Sequence, residues 1–270
     1  MKWIRENIKY GPAFQTAHVE EKALALPPSC ASLAGRSLLF VSDIHLSGRF
    51  PRPALDALLA QINSLRPDLI LLGGDYAESR EWQEEFFPLA GRLHAPLGIY
   101  AVAGNNDMEC FCEDLDSMKK VAARSGVSLL VNEAVRLRID GSALTIAGMD
   151  EFHHADAPTS PLFTDSDADA YRILLAHYPQ SAAQYRSCGF APQPHLALAG
   201  HTHGGQFRLF GLTPYSVGYE FRMKGVRLPA VSGWRAMGET DLLVSRGIGT
   251  SKLPLRIGAN PEIHLLRLTK

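Results

Sequence analysis

Apolar residues along the chain fall into short blocks separated by stretches with helical spacing, and together they predict a layered α/β protein. Leu38-Leu39-Phe40-Val41 is a continuous apolar run that ends in Ser42-Asp43. Unbroken runs of this length suit strands buried on both faces. Leu55, Leu58, Leu59, Ile62 and Leu65 then recur at helical spacing, and Pro53 stands where a first turn accepts it. Leu69-Ile70-Leu71-Leu72 is a second strand run, ending in Gly73-Gly74-Asp75. A helix is expected through Trp82, Phe86, Phe87 and Leu89, shortened by Pro88. Ile99-Tyr100-Ala101-Val102 is a third strand, ending in Gly104-Asn105-Asn106-Asp107; Leu115, Met118, Val121 and Ala122 then mark a helix stopped near Gly126.

The rhythm then shortens. Leu129–Val131, Val135–Ile139 and Leu144–Ala147 read as closely spaced strands, with Asp140-Gly141 as a hairpin turn. Ile173–Ala176 leads into His177, and Leu196–Ala199 leads into Gly200-His201-Thr202-His203. Leu242–Val244 and Ile263–Leu266 close the pattern. No internal repeat or low-complexity linker interrupts it. The expectation is one α/β domain over 1–270 with two packed sheets: an N-terminal arm (1–35), a motif core (36–206) and a closing segment (207–270).

Composition narrows the partners. Hydrophobic residues make up 46% and charged residues 20%, ordinary for a globular protein. A formal charge of −1 offers no steering field for nucleic acid, so none is expected as partner. Four cysteines, with only Cys110 and Cys112 close together, form neither a disulfide framework nor a zinc-ribbon pair; they read as reduced thiols in a reducing compartment. No run reaches the ~18 apolar residues of a membrane span. Trp3, Ile4 and Ile8 share a helical face beside Lys2, Arg5 and Lys9, which suits a membrane surface, although a short helix or arm packed on the domain is the plainer expectation. The expected location is cytoplasmic, with peripheral membrane contact as the further option.

One regularity carries chemistry: five apolar runs end in Asp43, Asp75, Asn105, His177 and His201. Open α/β sheets place ligand sites at the carboxyl ends of their strands. Asp43 and His45, two apart, would point the same way on an extended segment, and His201 and His203 repeat the spacing. Taken singly each piece is commonplace: a turn, or a polar residue with an ordinary hydrogen-bond partner. The ordered set of carboxylates, an amide and imidazoles is not. It suits two Mn, Fe or Zn ions sharing a carboxylate, ~3.5–4 Å apart.

With these motifs in order, the chain resembles the calcineurin-like metallophosphoesterases over roughly residues 38 to 206. Gly204-Gly205-Gln206, Ser245–Thr250 and Asn260–Ile263 look like a bacterial phosphodiesterase subgroup, often tethered to or exported across the membrane. The resemblance implies a four-layer sandwich of two mixed β-sheets flanked by helices. It further implies Asp43, His45 and His203 on one metal, Asn105, His177 and His201 on the other, and Asp75 bridging. Catalysis would centre on Asp75, His203 and the residue at 106, with a bridging hydroxide attacking phosphorus in line.

The family usually has histidine where this chain has Asn106. An amide donates a hydrogen bond but delivers no proton near neutral pH, and general acid catalysis contributes about 10²–10⁴-fold. Three readings stand open. In the first, the leaving group needs little protonation, as in pyrophosphates, and enzymes that cleave UDP-diacylglucosamine also lack the histidine. In the second, another donor serves: His153, His154 or His195. Or the chain binds metal without turnover, as an interaction module. Retention of every ligand position favours an enzyme acting on a small phosphorylated substrate. Finally, 207–237 holds Arg208, Arg222, Lys224, Arg227 and Arg235 among aromatics, with Glu220 its only acid. This segment is a candidate substrate wall, and Arg222 and Arg227 are its candidate anion-binding residues.

Overall fold

A computed structural model describes residues 8–10, 17–48, 50, 52–112, 114–150, 158–216, 222–223, 225–251 and 253–270. The first half contains β1 (Ile8–Tyr10), β2 (His18–Ala25), β3 (Ser37–Val41), α1 (Arg52–Ser64), β4 (Leu69–Leu72), α2 (Arg80–Ala90), β5 (Ile99–Ala101), α3 (Asn105–Cys110), α4 (Leu115–Arg124) and β6 (Val127–Leu129). There follow β7 (Glu133–Ile139), β8 (Ser142–Gly148), β9 (Tyr171–Leu175), α5 (Pro179–Ser187) and β10 (Leu196–Ala199). The chain closes with β11 (Arg222–Met223), β12 (Val226–Arg227), β13 (Gly233–Met237), β14 (Thr240–Val244), β15 (Leu255–Ile257) and β16 (Glu262–Thr269).

Two six-stranded sheets form the centre, in the orders β2-β16-β3-β4-β5-β6 and β13-β14-β10-β9-β8-β7. Both are mixed: β3 to β6 run parallel with β16 antiparallel to β3, and β8, β9, β10 and β14 run parallel with antiparallel edge strands β7 and β13. The unbroken apolar runs follow from burial on both faces. On β3, Leu38 and Phe40 face the second sheet, joining Leu71, Ile146, Ile173 and Leu198 in one core. Leu39 and Val41 face outward to α1 and α2, meeting Leu55, Leu58, Ile62 and Phe86. Beyond the second sheet, Ala182 and Tyr185 of α5 cover Leu174 and Ala197. The fold is a four-layer α/β sandwich.

Most of the predicted elements stand, and the departures have local causes. Asp140 (φ 49°) and Gly141 (φ 90°) form the two-residue turn between β7 and β8. The helix expected to be shortened by Pro88 instead continues to Ala90. Pro88 lies in the last turn, where it removes one ladder bond, and Gly91 N–H still donates to Phe87 O at 2.9 Å. Stacking of Tyr76 on Phe86, 4.9 Å between centroids, holds the helix down. The strand expected over Leu129–Val131 lies at Val127–Leu129, because its register is set by pairing Ile99 with Val127 and Ala101 with Leu129. The segment read as an arm supplies β2, an edge strand parallel to β16. The helical face proposed through Ile8 is corrected: Ile8–Tyr10 is a strand paired with β15. Trp3 and Ile4 lie outside the described residues.

Candidate metal centre

Asp43, Asp75 and Asn105 follow the carboxyl ends of β3, β4 and β5, while His177 and His201 follow β9 and β10 of the other sheet. Asp43, His45 and His203 offer ligand atoms all within 4.8 Å of one another, and so do Asp75, His177 and His201. Asp75 Oδ2 joins the two groups, 3.5 Å from His45 Nε2 and 3.4 Å from His177 Nε2. On the other side, His203 Nε2 is 3.1 Å from His45 Nε2 and 3.7 Å from Asp43 Oδ1.

The backbone reaches this arrangement by strain, which corrects the expectation of extended geometry. Asp43, His45, Asp75, His201 and His203 all have positive φ, between 50° and 68°. Left-handed backbone costs a residue with a Cβ about 1–2 kcal/mol, and such strain clusters at functional sites. The kinked backbone, not the strand pleat, aims Asp43 and His45 at one point, and it sends His201 and His203 to different groups. Glycine makes the crowding tolerable. A Cβ on Gly104 would lie 2.2 Å from Asp75 Oδ1, and one on Gly200 2.3 Å from Asp43 Oδ2.

The donor chemistry fits metal. His177 Nδ1 donates to Gly73 O at 2.8 Å, which leaves its buried Nε2 without a hydrogen-bond partner and turned to Asp75. Burial alone would lower the His177 pKa, but Asp75 and Asp43 outweigh it and push it up to about 10. Burial likewise presses Asp75 upward, and His177 and His45 pull it below the usual carboxylate range. Asp43, with burial dominant, is raised. Without metal, then, the cluster holds protons that divalent cations would displace.

Supporting groups set the ligands' orientation. Ser42 Oγ donates to Asp43 Oδ2 at 2.6 Å. Tyr178 donates its hydroxyl to Asn105 Oδ1 at 3.1 Å and lays its ring on His201, 3.7 Å between centroids. Asp107, at the start of α3, accepts from Gly104 N, Asp75 N and Tyr76 N at 2.8, 2.7 and 2.9 Å, and from Gln83. Arg256, fully buried, donates to His203 Nδ1 at 2.8 Å, and to the carbonyls of His203, Gly249 and Ala259. Burial and Arg256 hold His203 well below the ordinary histidine pKa. Asn106 turns inward: its Nδ2 donates to Asp75 Oδ2 at 2.7 Å and its N–H to Asp75 Oδ1 at 3.0 Å.

A cavity of about 770 Å³ opens above the cluster. His45, Asp75, Asn105, Asn106, His201 and His203 border it, with Glu78 and Glu109 on one side and Phe207, Pro214, Tyr215 and Leu253 on another.

Residues 36–205 match the model of the calcineurin-like phosphoesterases. The chain belongs to that family. Among its relatives, YpbG of Bacillus subtilis, an uncharacterised protein, is 32% identical over 86% of this chain and 80% of its own length. The phosphodiesterase YaeI of Escherichia coli is 30% identical over 86% and 81%. A transmembrane protein with metallophosphoesterase domain from Bos taurus is 30% identical over 97% of this chain and 58% of its own.

In this phosphoesterase several sequence expectations fall away from the site. His195 is corrected as a proton donor: it accepts from Arg172 N at 3.1 Å, stacks on Tyr171, and is held at about 4 by burial and Arg172. His153 and His154 lie outside the described residues. The single substrate wall expected over 207–237 divides into three parts. Phe207, Pro214 and Tyr215 line the cavity; Arg222 and Arg227 pair on the β11–β12 ribbon, whose β12 contacts α5; and Trp234 and Arg235 lie on edge strand β13. Arg227 is not among the described residues bordering the cavity, and the side chain of Arg222 lies outside what the structure describes. Sequence reading missed Tyr178 and Arg256. Adjacency to His177 was a signal for the first; nothing local marks the second, which stands far along the chain. No helix among the described residues is long and apolar enough to cross a membrane.

Proposed function

We propose that the protein hydrolyses phosphodiester or pyrophosphate bonds of small phosphorylated substrates. Two divalent ions, Mn, Fe or Zn, would be held by Asp43, His45 and His203 on one side and Asn105, His177 and His201 on the other, with Asp75 shared. The observation that carries this reading is the paired triad of ligand atoms beneath an open cavity, with the Nε2 of His177 buried and turned to Asp75 without a hydrogen bond. When bound, such ions supply an activated water and positive charge against phosphate oxygens.

The chain's own residues do the rest. Asp75 is kept ionised by the surrounding imidazoles, and Asn106 fixes the rotamer of its carboxylate through two hydrogen bonds. Tyr178 orients Asn105 Oδ1 and the His201 ring. With its amide engaged on Asp75, Asn106 does not replace a general acid, which favours substrates whose leaving group departs unprotonated, such as nucleotide-linked phosphates. The apolar cavity wall of Phe207, Pro214 and Leu253 suits a substrate with a hydrophobic portion. The test is metal content together with turnover of bis-p-nitrophenyl phosphate and of UDP-sugar pyrophosphates in added Mn²⁺. About two metals per chain and turnover lost in Asp75→Ala are expected. Metal bound with no turnover of any of these substrates would leave an interaction module instead.

A further inference from the structure

The imidazoles of the cluster differ in what holds the ring nitrogen turned away from it. His177 Nδ1 donates to Gly73 O at 2.8 Å, and His203 Nδ1 accepts from the buried Arg256 at 2.8 Å. His45 Nδ1 is buried and has no hydrogen-bond partner. Only 3% of the His45 side chain is exposed.

The neighbours fix which atom carries each proton. Arg256 can only donate, so His203 Nδ1 is an acceptor, and a neutral His203 carries its proton on Nε2. That Nε2 lies 3.1 Å from His45 Nε2 and donates to it. A neutral His45 therefore accepts at Nε2 and carries its own proton on Nδ1. The donors run in one direction, from Arg256 to His203 to His45, and end on a buried N–H that nothing receives. A buried donor without an acceptor is costly, and few are left so in a native fold.

Glu78 supplies the acceptor. Its Oε1 stands 4.0 Å from His45 Nδ1, and its side chain, 23% exposed, borders the cavity. The backbones that carry the two side chains are zipped together. His45 N–H donates to Asp75 O at 3.0 Å, Leu46 N–H to Tyr76 O at 2.8 Å, and Glu78 N–H to Leu46 O at 3.1 Å. Leu46 and Ala77 form a parallel bridge between them. Glu78 thus starts from a fixed point beside His45. Its side-chain torsions need to carry the carboxylate only about 1 Å to reach hydrogen-bond distance. An imidazole that binds a metal through Nε2 also keeps its proton on Nδ1, so one acceptor serves the protein with and without metal.

We infer that Glu78 is the positioning residue of His45: its carboxylate accepts the Nδ1–H, fixes the tautomer and aims Nε2 into the group formed with Asp43 and His203. The consequence for metal rests on the hydrolase reading above; the pairing of Glu78 with His45 does not.

The experiment compares the full chain as wild type, Glu78→Ala and Glu78→Gln. In the metal-free protein, NMR is expected to show a slowly exchanging His45 Nδ1–H in wild type. Glu78→Gln should keep it, because an amide oxygen accepts the same bond, and Glu78→Ala should exchange it rapidly. Mn²⁺ affinity, read by competition with a chelator, should fall about 10–100-fold in Glu78→Ala, and Glu78→Gln should recover most of that loss. The tautomer of wild type is decisive by itself if Glu78→Ala does not fold. A His45 proton found on Nε2, or Mn²⁺ held by Glu78→Ala as tightly as by wild type, overturns the inference. So does a Glu78→Gln as weak as Glu78→Ala, which would make charge beside the cavity, and not the hydrogen bond, the source of the loss. Wild type with a protected Nδ1–H that turns over no phosphoester would sink the hydrolase reading alone.

Discussion

Asn106 is where a family pattern and this chain part, and its contacts define what a substitution there should do. Because its amide holds Asp75 Oδ2, Asn106→Ala should weaken metal retention as well as slow turnover, which metal titration separates from kinetics. Asn106→His adds a proton donor; if leaving-group protonation limits the reaction, turnover of alkyl phosphodiesters should rise more than that of aryl ones. Equal effects on both would count against this account. Arg256 acts at one remove, donating to the Nδ1 of His203 and directing its Nε2 into the cluster. Arg256→Gln should lower metal affinity about 10–100-fold, read by competition with a chelator. Unchanged affinity would reduce Arg256 to a packing role.

At the scale of elements, β4, β5 and β10 each deliver a candidate ligand through a turn too tight for a side chain. Between β5 and α3, Gly104 lies against the Asp75 carboxylate, and the N–H groups of Gly104, Asp75 and Tyr76 converge on Asp107. Gly104→Ala is expected to cost about 1–3 kcal/mol by overpacking and to abolish metal binding, measured by thermal unfolding and metal analysis. Retained metal at full stability would show that the turn has room. Strands β3, β4, β9 and β10 and helices α1 and α4 were legible, since periodicity and run length mark them. Helices α3 and α5 were not. They are short, and they begin at Asn105 and just after His177, where polar motif residues mask any apolar period. The Pro88 expectation failed because the cost of proline depends on its place in the helix.

Across the molecule, β16 carries a buried ionic group that ties the first sheet to the loop after β14. Glu262 contacts Arg246, lies 3.2 Å from His264 Nε2 and accepts from Arg246 N at 2.9 Å. Burial raises the Glu262 pKa, but His264 and Arg246 outweigh it and bring it to about 2 from 4.5. A depressed carboxylate contributes stability that is present above its unfolded pKa and lost as pH falls through the folded one. Stability should therefore fall more steeply between about pH 4.5 and 2, and Glu262→Gln should remove that loss, on the order of 3 kcal/mol across the whole window. A slope unchanged by the substitution would refute the assignment.

The sequence by itself determined the class, the candidate site residues and the family. Strand burial writes itself as apolar runs, and polar residues ending those runs need no partner to be noticed. The division of the candidate ligands into two groups was implied by the family resemblance, but only the tertiary structure showed its means: left-handed backbone at Asp43, His45, Asp75, His201 and His203 overrides the pleat that sequence spacing assumes. It alone showed Asn106 turned onto Asp75, Arg256 behind His203, and Glu78 beside His45. Each of those depends on which distant segment is packed alongside, and no local period records that.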